Sequence, residues 1–239
     1  MRNSIFIILV IGFLASCSST RQAPEEPVNT VSSPYSSMHT SYYNYTVVFG
    51  STDSQFLTAV KEQDVGKAAA MLRNRQNVNI EDSQGNNALF YAISTENLSM
   101  ISTLLEYKIN VNKQNRSGQF PLHFATSKKN IQIINLLANA GASVIASDGG
   151  GITPVLIAVY QKNEALAKFF LNSGARTVDR DAQGNTLLHI SIQNDDPITV
   201  RLLIERDADV FIRNNHGITA LDLLARSSRR EFNDIAARY

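Results

Sequence analysis

Several things are scarce in this 239-residue chain, and each scarcity excludes a class of protein. It has a single cysteine, Cys17, which rules out an internal disulfide framework and any cysteine-based zinc site. Charge of either sign is in short supply: charged residues make up 18%, below the roughly 25% usual for soluble domains. The 22 Lys and Arg nearly cancel the 21 Asp and Glu, leaving a net charge of +1. That balance gives no whole-chain attraction to nucleic acid or anionic lipid. Tryptophan is absent, which excludes nothing. The hydrophobic share of 44% and mean hydropathy of −0.12 describe a chain able to bury a core. Composition allows a globular or repeat protein and names no chemistry.

The longest apolar run, Ile5 to Leu14, is ten residues broken by Gly12. As a helix it would reach about 15 Å, half of a hydrocarbon core, so it is too short for a stable span. With Arg2 before it and small residues after it, the run reads as an export signal. Its end, Leu14-Ala15-Ser16-Cys17, resembles the lipobox of bacterial lipoproteins. That resemblance implies cleavage after residue 16, diacylglycerol on the Cys17 thiol and acylation of the new amine. The alternative is an ordinary secretory leader with a cysteine there by chance. Two or three acyl chains make desorption negligible, so Cys17 is expected to be an anchor and not a nucleophile. In a Gram-negative cell Ser18 in place of Asp implies transfer to the outer membrane, where the array is expected to face the periplasm; in a Gram-positive cell the same leader would give a cytoplasmic-membrane anchor.

Residues 17–52 come next, as the lipidated cysteine and a Ser-, Thr-, Pro- and Tyr-rich stretch. Pro24, Pro27 and Pro34 interrupt any helix, so this segment is expected to be a disordered tether. The cluster Tyr42-Tyr43-Asn44-Tyr45 would either cap the exposed end of the folded region beyond it or bind a partner.

From residue 53 the dominant signal is periodic. Gly85, Gly118, Gly151, Gly184 and Gly217 stand 33 residues apart. Ala59, Ala92, Ala125, Ala158 and Ser191 keep the same step, as do Asn97, Asn130, Asn163 and Asp196. Val78, Val111, Val144 and Val210 form a fourth column. The glycines, in words such as Asp82-Ser83-Gln84-Gly85, predict tight turns with positive φ. The small column predicts a close helix contact, and the Asn/Asp column a cap on a second helix. Gly141 and Gly174 predict left-handed helix ends, with Lys108 and Asp207 in that place in two other units.

Gly151-Ile152-Thr153-Pro154, Phe120-Pro121-Leu122-His123-Phe124-Ala125 and Gly184-Asn185-Thr186-Leu187-Leu188-His189 resemble the ankyrin repeat. The resemblance covers 187 of the 239 residues and implies an all-α solenoid of helix-turn-helix units with β-hairpin tips. A divergent unit at 53–81 would precede repeats at 82–114, 115–147, 148–180 and 181–213, with a capping repeat at 214–239. It further implies that His123 and His189 tie neighbouring turns together.

No catalytic constellation is visible. Gly149-Gly150-Gly151 lacks the Lys and Ser/Thr of a phosphate-binding loop, and no His or carboxylate pair has zinc spacing. The chain is therefore expected not to be an enzyme and to need no cofactor, metal, nucleic acid or small-molecule substrate. The family's partners contact turn tips and the exposed side of first helices. Carried onto this chain, that surface comprises Arg116, Gln119, Lys128, Ile152, Tyr160, Gln161, Gln183, Asn185, Gln193 and Asn194. Gln84, Asn86, Ser94 and Thr95 extend it to one side, His216, Ile218 and Arg226 to the other. The expected function is a membrane-anchored lipoprotein that binds a protein in the bacterial envelope. The alternative is an inhibitor or immunity-type lipoprotein that occludes an enzyme or toxin at the membrane.

Overall fold

The computed structural model describes residues 53–239; Cys17, the leader and the tether lie outside the described residues. Within them the chain forms twelve helices and no extended strand. Helix α1 covers 53–61 and α2 Val65–Arg73. The pairs α3 (Ala88–Ser94) and α4 (Leu98–Glu106), then α5 (Pro121–Lys128) and α6 (Ile131–Asn139), follow. After them come α7 (Pro154–Tyr160) and α8 (Glu164–Asn172), then α9 (Leu187–Gln193) and α10 (Pro197–Ile204). The last pair is α11 (Ala220–Arg226) and α12 (Arg230–Ala236). The all-α repeat expected from the 33-residue step is the fold observed.

Helices of seven to nine residues are too short to persist alone in water. Packing supplies what length does not. First helices α3, α5, α7, α9 and α11 pack in series, and each also packs on its own second helix. The small column sits where they meet: Ala59, Ala92, Ala125, Ala158 and Ser191 are wholly buried. Around it one continuous core runs from Phe56 to Ile235, through Leu104, Leu137, Phe170 and Leu203 on the second helices.

Each second helix from α4 to α10 starts on a capping side chain. Asn97, Asn130, Asn163 and Asp196 accept hydrogen bonds from backbone N–H groups two or three residues on. Asp64 does the same for α2, one full step before Asn97, although that unit lacks the turn glycine of the others. Proline occupies the first position of α5, α7 and α10, where a missing N–H costs nothing.

Three columns take positive φ at the 33-residue step. The turn glycines have φ between 74° and 79°. The ends of the second helices carry Arg75, Lys108, Gly141, Gly174 and Asp207. The third column lies between the two helices of a unit and is absent from the sequence-based expectations. Gln63, Glu96, Lys129, Lys162 and Asp195 all lie at φ 52–62° without one glycine among them. Glycine is the usual signal for that conformation, so the sequence offers none here.

Candidate protein-binding surface

Each hairpin tip is organised by the first residue of its unit. Asp82, Asn115, Asp148, Asp181 and Asn214 each place Oδ1 where two backbone N–H groups, two and four residues on, donate to it at 2.7–3.1 Å. This pins the turn that the glycine makes possible. Where that residue is Asn, its amide also reaches the preceding tip. Asn115 Nδ2 donates to Asn86 Oδ1 at 3.0 Å, and Asn214 Nδ2 to Asn185 Oδ1 at 2.8 Å. Backbone bonds add to this stitching: Arg116 N–H to Gln84 O, Gly149 N–H to Gly118 O and Asn215 N–H to Gln183 O, at 2.9–3.0 Å.

The histidines act between units. Nε2–H of His123 donates to Ile152 O at 2.8 Å and that of His189 to Ile218 O at 3.0 Å. At His189 the other ring nitrogen accepts from the Thr186 hydroxyl at 2.8 Å. At His123 the residue in that place is Phe120, which stacks on the ring, and the buried Nδ1 has no protein partner. The next unit has the converse mismatch, with Thr153 present, Leu156 in the histidine place, and a buried Thr153 hydroxyl without a protein partner. Burial pushes the His123 pKa below the usual histidine value, against the opposing pull of the Ile152 carbonyl and the Asp148 charge.

The residues expected to meet a partner divide into two groups. Arg116, Lys128, Gln183 and Gln193 are exposed, and Tyr160 stands 46% exposed at the end of α7. Gln119 is half-buried. Tyr160 is fixed in direction because its hydroxyl donates to Asp181 Oδ2, in the next tip, at 2.7 Å. Partial burial and that carboxylate together push the phenol pKa well above its ordinary value. Burial works to raise Asp181, but the Tyr160 hydroxyl and the Asn185 amide outweigh it and hold the carboxyl low. Tyr91 and Asp82 repeat this pairing inside the first full unit.

The second group is used internally. Asn185 is 8% exposed and bonded to Asp181 and Asn214, so it holds two tips together. Gln161 Nε2 donates back to Ser127 O at 3.2 Å, and Asn194 Nδ2 to Val159 O at 3.0 Å. Ile152 packs against the core instead of standing free beside Tyr160. Of the flanking positions, Gln84, Ser94, Thr95, His216 and Arg226 are exposed, while Asn86 and Ile218 are half-buried.

Among the described residues, no group of three or more His, Cys, Asp or Glu stands together as metal ligands would. No described helix is long and apolar enough to cross a membrane. Comparison with curated proteins returns no match. The family described as ankyrin repeats (3 copies) matches residues 56–148 and 155–235. With stacked helix pairs, stitched hairpin tips and a family match over most of its length, the chain belongs to the ankyrin-repeat family, whose arrays serve as protein-interaction modules.

Proposed function

We propose that this chain is a lipid-anchored adaptor of the bacterial envelope, held to its membrane through Cys17 and binding one protein partner on the wall of turn tips and first helices. Tyr160 carries the reading. It is a half-exposed aromatic at the middle of the array, locked to Asp181, with Arg116, Lys128, Gln183 and Gln193 exposed on neighbouring units. Rigid aromatics ringed by polar groups are where binding energy concentrates at interfaces. The lipobox-like Leu14-Ala15-Ser16-Cys17 supports the anchor, and Ser18 supports an outer-membrane address in a Gram-negative cell.

The test is crosslinking and affinity capture from native envelopes, comparing the wild type with Cys17→Ala and with Tyr160→Ala/Arg116→Ala. The double variant should lose the partner while its circular dichroism melt stays in place. A partner retained at full strength would put the contact elsewhere. Loss from Cys17→Ala alone would make the anchor necessary for the encounter, whereas equal recovery would make it an address and the wall sufficient.

A further inference from the structure

One column of the repeat changes character halfway along the array. In the first two units it holds Asn79 and Asn112, which are spent on internal stitching. Asn79 Oδ1 accepts from Asn110 N–H at 2.7 Å. Asn112 accepts from Ser143 N–H and donates to Gly141 O, both at 2.9 Å. In the next three units the same column holds Ile145, Val178 and Phe211, which are 53%, 45% and 58% exposed. Tyr239, 56% exposed, packs edge-on against Phe211 with ring centroids 6.1 Å apart. Each of the three sits in the turn leading into the next hairpin, so they recur once per unit along one edge. Isolated exposed apolar residues need no explanation, but a column of them in register does.

The charges beside this column favour one kind of occupant. Arg176, Arg180, Arg213 and Arg238 are exposed around it. The acidic groups there are Asp207 and Asp209, both exposed, Asp222, half-buried near Arg213 and bonded to Thr219, and Asp179, buried and paired with Arg176, so the exposed charge is mainly guanidinium. Apolar tips flanked by guanidinium groups match an anionic bilayer surface. The tips enter at headgroup depth and the arginines meet phosphates. We infer that the edge carrying Ile145, Val178, Phe211 and Tyr239 docks on an anionic phospholipid surface and seats the array against the membrane. In its setting this rests on the reading of Cys17 as an anchor. The 36 residues from Cys17 to Thr52 span at most about 120–130 Å, so the edge stays within reach of the bilayer. Tethering makes that encounter intramolecular, and a weak surface affinity then suffices.

Because the chain has no tryptophan, a single introduced indole reports without background. Phe211→Trp and, as a control on the wall, Tyr160→Trp would be made in the mature chain from residue 17. Each would be prepared with Cys17 acylated and with Cys17→Ser, and mixed with phosphatidylcholine vesicles with or without 30% phosphatidylglycerol. In the anionic vesicles the emission of the Phe211→Trp variant should shift to the blue and be quenched by brominated acyl chains. The Tyr160→Trp variant should not change. Arg180→Glu/Arg213→Glu should weaken the partition of the Cys17→Ser form by about tenfold or more, with an unchanged melt, and 0.5 M salt should act in the same direction. An unquenched indole at position 211 in both forms would overturn the inference even if Cys17 proves acylated. Equal quenching at position 160 would overturn it too, by showing contact without orientation. Docking of the Cys17→Ser form would sustain it even if the native chain proves to carry no lipid.

Discussion

At the scale of single residues, the main liability is polar atoms buried without partners. His123 is 1% exposed, its Nδ1 has no protein partner, its Nε2–H is committed to Ile152 O, and burial disfavours its charged form. Its pKa is depressed in the folded state, so the unfolded chain binds the proton more readily. Stability from this group is complete above about pH 6.5, the unfolded value, and is lost as the pH falls towards the folded one. The loss cannot exceed about 1.4 kcal/mol per pH unit. His123→Gln keeps an amide donor near the Nε2 position and removes the titration. Between pH 7.5 and 5.5, its thermal midpoint should fall less than that of the wild type. Parallel slopes would mean that His123 does not sense pH. The histidine's tie to the next turn was legible from its motif place, whereas the missing Nδ1 donor shows only when Phe120 is seen occupying the threonine position.

At the scale of the element, the periodic columns announced most of the architecture. The glycines and the Asn/Asp caps are residue types with a single local job, so their spacing alone revealed turns and helix starts. The left-handed column Gln63, Glu96, Lys129, Lys162 and Asp195 was illegible for the opposite reason. Ordinary side chains are forced there by the packing of the two helices of a unit, at a cost on the order of 1 kcal/mol each. The candidate surface was legible only in part. Exposure at Tyr160 follows from helix phase and at Arg116 from its place in a turn tip, but the burial of Asn185 depends on Asn214 one unit away. Two substitutions test the element-scale account. Asn163→Ala removes the cap that accepts from Leu166 N–H and should cost about 1 kcal/mol in denaturant unfolding. Gly118→Ala should cost more, because an added Cβ would lie 2.6 Å from the Gly149 backbone, at a φ of 78°. A Gly118→Ala variant no less stable than Asn163→Ala would refute the close approach of those two tips.

For the array as a whole, stability is near to a sum of unit terms and neighbour interfaces, so differences between units become differences in local opening. The middle units hold the favourable terms. Gly141 and Gly174 end their second helices without a Cβ penalty, and both Pro121 and Pro154 pre-set the start of a first helix. The amino-terminal units place Arg75 and Lys108 in the left-handed end position and have no proline at the start of α2, α3 or α4. The carboxyl-terminal end has Asp207 in that position, offset by the ion pairs Asp195–Arg229 and Arg201–Glu231 that tie α12 back to the preceding unit. Those pairs are exposed and contribute little each. Opening should therefore begin at the amino-terminal end and leave 115–180 closed longest. Native-state hydrogen exchange followed by peptide mass should show slowest exchange in α5 to α8 and faster exchange in α1 to α4. Stronger protection over 53–114 than over 115–180 would show that interface terms at the amino-terminal end outweigh the backbone strain. In that case Lys108→Gly, which relieves the strain, would leave the exchange pattern unchanged instead of slowing it.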